Sequence, residues 1–131
     1  MNEHASTVRV RYGETDQMGV VYHAHYLLYF EIARTELLRA SGVAYRDLET
    51  GGLYLVVTEA ACQYHAAARY DDLLTVRCRV AGMGKASIRF EYSVRGPTGQ
   101  LLTEGHTELA TVDAQKRPVR LPRDLKDRLS P

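Results

Sequence analysis

Several features are scarce in this chain, and their scarcity excludes whole classes of protein. Its basic and acidic residues nearly cancel, leaving a formal net charge of +1, so no strong basic field attracts nucleic acid or an anionic membrane. No stretch approaches the ~18 apolar residues that a membrane-spanning helix needs. Residues 1–7 are polar and lack the apolar core of a signal peptide. We therefore expect a cytoplasmic protein with no membrane span and no nucleic-acid partner.

Cysteine is also rare, with Cys62 and Cys78 as the two examples. Both lie in apolar, strand-like runs, and their spacing is not that of a metal site. Sequence leaves a disulfide between them open, although two buried free thiols in a reducing compartment are the favoured interpretation. His23 and His25 are two residues apart, which would splay them on a helix. The sequence therefore predicts no metal site.

The bulk composition is that of a soluble globular protein, with 131 residues of which 45% are hydrophobic and 25% charged. A chain of this length buries roughly two-thirds of its unfolded surface and can form a real core. It contains no internal repeat and no linker-like segment. We expect residues 1–131 to form a single domain.

The chain contains two kinds of hydrophobic pattern, one typical of a helix and one typical of strands. Residues 24–40 have apolar residues three or four apart, which predicts a long helix ended by Gly42. Additional apolar residues in its first half predict burial on more than one side; they are Leu28, Tyr29 and Ile32. Alternating or β-branched runs predict strands over residues 7–12, 53–65, 74–80, 85–94 and 101–112. Glycine-rich segments predict tight connections over residues 82–84 and 96–99, and the tail predicts a short charged helix.

This order of elements predicts an α+β architecture. One long apolar helix lies between the first strand and four further antiparallel strands, and the simplest packing wraps a curved five-stranded sheet around the helix. An open sheet of this kind leaves edge strands unpaired, which natural proteins rarely tolerate. We expect at least a homodimer that continues the sheet across a two-fold axis.

The loop before the helix is the strongest candidate for chemistry. Asp16 lies in a glycine-containing loop, and His23 follows where the helix begins, so both could border one pocket. The first amides of a helix are unpaired and carry partial positive charge, which would polarise a carbonyl and stabilise an oxyanion. Asp16 could act as nucleophile or as general base. It could equally be a helix cap, and His23 could be a core histidine. Tyr12 and Tyr22 could be core aromatics or line the pocket.

Basic residues of the fourth predicted strand suggest a phosphate contact. Lys85 and Arg89 share its polar face with Ser87, and together they could hold a nucleotide phosphate. The alternative is an ordinary solvated strand face. Serine-nucleophile elbows, phosphate loops and dinucleotide fingerprints are absent from the sequence.

The loop and helix together closely resemble the 4-hydroxybenzoyl-CoA thioesterase family, and most of all its branch of bacterial acyl-CoA thioesterases that includes Tol-Pal-associated members. The resemblance extends from Val8 to Pro122 and is carried by D-x-x-G-V-V-Y-H (Asp16 to His23) followed by Y-x-x-Y-F-E-x-A-R (Tyr26 to Arg34). It implies a hotdog fold, assembly as a homodimer or homotetramer, and active sites at the dimer interface. It also implies that Asp16 is catalytic and that the backbone N–H at the His23 position polarises the thioester carbonyl.

The resemblance predicts hydrolysis of acyl-coenzyme A to a free acid and coenzyme A, with no metal and no organic cofactor. The catalytic residues expected are Asp16 and His23. The substrate contacts expected are Tyr12, Gly19, Tyr22, Lys85 and Arg89. Two alternatives stay open: the acyl group could be carried by acyl-carrier protein, docked on a basic patch, or the protein could bind acyl-CoA without catalysis. An intact Asp16 and Gly19 argue against the second alternative.

Overall fold

The computed structural model describes residues 2–131 and contains one sheet and three α-helices in that range. The helices are α1 (His25–Ala40), α2 (Tyr45–Thr50) and α3 (Arg123–Leu129). The strands are β1 (Glu3–Arg9), β2 (Tyr54–Tyr64), β3 (Leu73–Met83), β4 (Ser87–Arg95) and β5 (Leu101–Val112). A single 3-10 turn, Tyr12–Glu14, follows β1.

The sheet is antiparallel throughout, with the strand order β1-β3-β4-β5-β2, so β1 and β2 are its edges. Its concave face is apolar because alternate residues of each strand point inward, as Ile88, Phe90 and Tyr92 do on β4. Helix α1 packs on this face, mainly against β1 and β3. The predicted α+β wrap of a five-stranded sheet around one long helix is confirmed.

Phe30 makes a close contact between the helix and the middle of the sheet. Its ring stacks on Tyr92 with centroids 4.3 Å apart, and both residues are buried. On the neighbouring strand, a Cβ at Gly105 would lie 2.9 Å from the Phe30 ring and would overlap the Ala61 carbonyl oxygen. Glycine at this position therefore lets the ring approach the backbone of β5.

Helix α1 ends as predicted. Gly42 adopts a φ of +88°, and the Val43 N–H donates to the Leu38 carbonyl, so the last turn is closed by a left-handed glycine. The helix is buried on one side in the single chain. Leu27, Leu28 and Ile32 are 39%, 51% and 43% exposed, which corrects the expectation of burial on more than one side. The sheet curves around only part of the helix and leaves this apolar face uncovered.

Other differences from the predicted elements are local. Strand β1 begins at Glu3 because it pairs with β3, and it ends at Arg9, before the predicted end at residue 12. Strand β3 continues to Met83 past a register shift, so the connection to β4 comes later than predicted. Both cysteines are free, Cys78 buried and Cys62 half-buried. Within residues 2–131 no helix has the length and apolar character to cross a membrane.

Candidate active site

The loop that carries Asp16 is shaped by its own backbone. Asp16 Oδ1 accepts the Met18 N–H at 2.9 Å, and the Asp16 carbonyl accepts the Gly19 N–H at 2.9 Å. Gly19 has a φ of +79°, a conformation that side-chain-bearing residues rarely adopt. This tight turn fixes one oxygen of the carboxylate. Within residues 2–131 no hydrogen bond is donated to the other oxygen, Oδ2.

Glu14 anchors the loop to the helix, a role that was not predicted from the sequence. Its side chain is 11% exposed and accepts hydrogen bonds from the Arg11 N–H (2.9 Å), the Arg11 guanidinium (3.1 Å) and the Tyr29 hydroxyl (2.8 Å). Burial opposes ionisation, but the hydrogen bonds from Arg11 and Tyr29 outweigh it and lower the pKa of Glu14. The Glu14 carbonyl also accepts the Tyr22 N–H at 2.9 Å, which joins the loop to the residues just before α1.

Helix α1 begins without a side-chain cap. Ala24 occupies the N-cap position and has no side-chain acceptor to offer the first turn. Among the described residues, no acceptor is found for the N–H groups of His23 or Ala24. These two amides are unpaired donors at the positive end of a helix of 16 residues.

Asp16 and His23 border one cavity of about 300 Å³ at the start of α1. The same cavity is lined by Tyr26 from the helix and by Tyr64 and His65 at the end of β2. The Tyr64 hydroxyl donates to the His23 carbonyl at 3.0 Å, and His65 Nε2 lies 3.2 Å from Glu104. The sheet topology therefore adds two aromatic side chains to the predicted pair of residues.

The other predicted contacts of the loop lie beside this cavity and do not line it. Tyr12 is 79% exposed and packs edge-on against Tyr70, with ring centroids 5.7 Å apart. Tyr22 is 46% exposed and lies against the His23 ring at 4.4 Å. Neither tyrosine is the core aromatic that the sequence also allowed.

Lys85 and Arg89 do not share a site. Lys85 precedes β4 and lines a cavity of about 580 Å³ at the far end of the sheet, together with three more cations, which are Arg120, Arg123 and Lys126. Arg89 lies on the outer face of β4, where its guanidinium is 3.7 Å from Glu91 and 3.9 Å from Glu108. The strand begins two residues later than predicted, which separates the pair.

The arrangement around Asp16 suits acyl transfer. The cavity is bordered both by the Asp16 carboxylate and by His23, whose N–H is unpaired among the described residues just before α1. A carbonyl bound there could meet both a nucleophile or base and a hydrogen-bond donor for its oxygen. Within the part of the chain that the structure describes, no group of three or more His, Cys, Asp or Glu side chains is arranged to hold a metal ion.

Comparison with known proteins agrees with this chemistry. The family model of the thioesterase-like superfamily matches residues 10–129. The acyl-CoA thioesterase YbgC of Haemophilus influenzae is 42% identical over 121 residues, which cover 91% of this chain and 88% of that protein. The acyl-CoA thioester hydrolase YbgC of Escherichia coli O6:H1 is 35% identical over 119 residues, 90% and 89% of the two chains. The crystal structure of a DHNA-CoA thioesterase from Staphylococcus aureus superposes with a TM-score of 0.91 at 31% identity, covering 97% of this chain and 86% of that one.

These matches, the fold and the site define a hotdog-fold thioester hydrolase. The chain belongs to the thioesterase-like superfamily. The resemblance to the 4-hydroxybenzoyl-CoA thioesterase type of family, inferred from the loop and helix, is thereby confirmed.

Proposed function

We propose that this enzyme hydrolyses acyl-coenzyme A to a free acid and coenzyme A, with Asp16 as the catalytic carboxylate. The observation that carries the proposal is that Asp16 and the uncapped start of α1 border the same cavity. A thioester bound there would have its oxygen beside the amides at His23 and Ala24. Each well-placed donor of this kind contributes ~10²–10³ in rate.

The role of Asp16 has two forms. As general base, its free oxygen removes a proton from water while the water oxygen attacks the thioester carbon; the carbon–sulfur bond breaks, and sulfur leaves with the electron pair and gains a proton. As nucleophile, the carboxylate attacks the carbon, releases the thiolate and forms an anhydride that water then hydrolyses. Label in the Asp16 carboxylate after repeated turnover in ¹⁸O-labelled water would demonstrate the anhydride with water attack at the aspartyl carbon, because general-base catalysis leaves both carboxylate oxygens unexchanged.

We propose Lys85 as a contact for the phosphates of coenzyme A. It is one of four cations around the 580 Å³ cavity, and the cavity wall also includes the carboxylate of Asp127. Lys85→Ala should raise KM and leave kcat unchanged, because this contact is the same in ground and transition states. Arg89→Ala tests the second predicted contact, whose guanidinium would have to leave Glu91 and Glu108. Tyr12, Gly19 and Tyr22 are proposed to contact the part of the substrate that extends out of the Asp16 cavity.

We further propose a two-fold homodimer through β2. This 11-residue strand is an edge, and on its inward face Val57 and Tyr64 are 46% and 49% exposed. Its unpaired backbone and the uncovered apolar face of α1 together favour burial against a second copy. Pairing of two dimers, which the family resemblance also allows, would give a tetramer.

The dimer would bring together groups that one protomer separates. Asp16 lies by the end of β2, whereas Lys85 lies at the opposite end of the sheet, roughly 30 Å away by the rise of about nine strand residues. In an antiparallel β2–β2 pair, the partner's Lys85 would lie about three strand spacings, or ~15 Å, from Asp16. The proposed substrate would then span both subunits.

This shared site has a direct test. Asp16→Asn and a Lys85→Glu/Arg120→Glu variant should each hydrolyse acyl-CoA more slowly than wild type when assayed alone at low substrate concentration. Their heterodimer should regain activity, since one of its two sites keeps both Asp16 and the basic cavity intact. Failure of a purified heterodimer to regain activity would place both groups in the same protomer's site.

Substrate class is tested by thiol release from a panel of acyl-CoAs and the matching acyl-carrier proteins. Turnover of acyl-CoA supports the proposal. Turnover of the carrier-protein substrates alone would favour the alternative, in which the cations around Lys85 dock an acidic helix. Tight binding of acyl-CoA without thiol release would favour the non-catalytic alternative.

A further inference from the structure

The missing cap at the start of α1 leaves a structural problem that another part of the chain solves. A Ser, Thr or Asp at the N-cap would fix the first turn by accepting the N–H of Tyr26 or Leu27, the second and third helical residues. Ala24 has no side chain that could do this, so nothing at the N-cap fixes the residues that carry the His23 and Ala24 N–H groups. The start of the helix therefore needs an anchor other than a side-chain cap.

Tyr64 supplies such an anchor from the carbonyl side. Its hydroxyl donates to the His23 carbonyl at 3.0 Å across 41 residues of sequence. In a regular α-helix the Leu27 N–H would donate to the His23 carbonyl, four residues earlier. Here it donates to the Ala24 carbonyl at 3.3 Å instead, so the His23 carbonyl can accept from Tyr64. The Tyr64 ring also packs edge-on against His23 and Tyr26, at centroid distances of 6.4 and 5.6 Å. Hydroxyl and ring together hold His23, the residue just before the N-cap.

The bond from Tyr64 acts on the same peptide group that carries a free amide. The His23 carbonyl and the Ala24 N–H belong to one peptide unit, so a hydrogen bond accepted by the oxygen polarises the N–H and strengthens it as a donor. Burial, with a smaller contribution from Cys62, raises the pKa of Tyr64 to about 12. The hydroxyl therefore stays protonated, and able to donate, through neutral pH.

We propose that Tyr64 is a positioning residue for the oxyanion site, holding and polarising the His23–Ala24 peptide through its hydroxyl. The inference rests on the proposed function, since it assumes that these amides receive the thioester oxygen. It adds a residue from the edge strand β2, which nothing in the loop or helix sequence identifies. It also predicts that this hydroxyl affects the chemical step more than substrate binding.

The test is steady-state kinetics of Tyr64→Phe with an acyl-CoA that the wild-type enzyme turns over. Removing one neutral hydrogen bond should lower kcat about 3- to 10-fold and leave KM nearly unchanged. Tyr54→Phe is the matched control, because Tyr54 starts the same strand and its hydroxyl has no hydrogen-bond partner among the described residues; its kcat should equal that of wild type. Proton–nitrogen NMR provides a readout independent of turnover, in which the Ala24 amide proton should move upfield in Tyr64→Phe alone.

The outcomes separate this inference from the function on which it rests. A lowered kcat with an upfield Ala24 amide supports the role of Tyr64. An unchanged kcat, a raised KM with normal kcat, or an unshifted Ala24 amide would overturn it. Asp16→Asn is assayed in parallel: normal turnover in that variant refutes the catalytic proposal itself, whereas an inactive Asp16→Asn beside a normal Tyr64→Phe refutes only the Tyr64 inference. Circular dichroism at the assay temperature confirms that each variant is folded.

Discussion

Glu14 offers the sharpest prediction about stability, because its buried carboxylate holds the Asp16 loop against α1. Glu14→Gln keeps the shape of the side chain and one oxygen acceptor. Its side-chain NH₂ group, however, would face the Arg11 guanidinium, so that two hydrogen-bond donors would oppose each other. The bonds from Tyr29 and from the Arg11 N–H would change from charged to neutral acceptors, at about 1 kcal/mol each. We therefore expect the free energy of unfolding of Glu14→Gln to be about 2 kcal/mol lower than that of wild type. With an unfolding entropy of ~2.1 cal/mol/K per residue, this corresponds to a fall in Tm of about 7 °C.

The pH dependence provides the decisive check on that reasoning. The pKa of Glu14 is lower in the folded chain than in the unfolded chain. The stability that its ionised carboxylate contributes is therefore fully present above the pKa of the unfolded chain and is lost as the pH falls through the pKa of the folded chain. The difference in Tm between wild type and Glu14→Gln should therefore be largest near pH 7 and shrink below pH 4.5, the ordinary pKa of the group. Calorimetry at one fixed protein concentration measures it. Glu3→Gln, which breaks only an exposed ion pair, is the control. Equal Tm values at pH 7 would refute the anchoring role.

Two further predictions concern the core. Gly105→Ala should lower the free energy of unfolding by about 3 kcal/mol or prevent folding, because the added methyl overlaps the Ala61 carbonyl and presses on Phe30. Urea unfolding measures this change. A loss below about 1 kcal/mol would contradict the packing described. Cys62 should react with a thiol reagent in the native protein while Cys78 reacts only on unfolding, because Cys62 is half-buried and Cys78 is buried. Burial raises the pKa of both thiols, that of Cys78 to about 12. Equal labelling rates by mass spectrometry would contradict this prediction.

Elements with a long, regular period were predictable from sequence. Helix α1 and strand β5 agree with the predicted ranges within a residue, because each carries its hydrophobic pattern over at least three turns or ten strand residues. Helix α2 was missed because six residues without an apolar repeat carry no such pattern. The start of β1 was missed because Glu3–Ser6 become a strand through pairing with β3, a contact that local sequence does not encode.

The candidate site likewise contains residues that could be predicted from the sequence and residues that could not. Asp16, Gly19 and His23 are close in sequence, and their turn and helix start could be anticipated from residue types alone. Tyr64 and His65 reach the cavity through the sheet topology, 41 or more residues away from His23. Glu14 was not predicted as a site residue, and its buried environment includes Tyr29 on the helix, which is distant in sequence. The local signal that could have pointed to it is an Arg three residues before a Glu, which here forms a reciprocal contact.

The role of Asp16 is tested most directly by Asp16→Asn, whose side chain can still accept the Met18 N–H and keep the turn but cannot act as base or nucleophile. We expect kcat to fall by at least about 10³-fold, with KM and Tm close to wild type. An Asp16→Asn enzyme that releases thiol from acyl-CoA at the wild-type rate would contradict it.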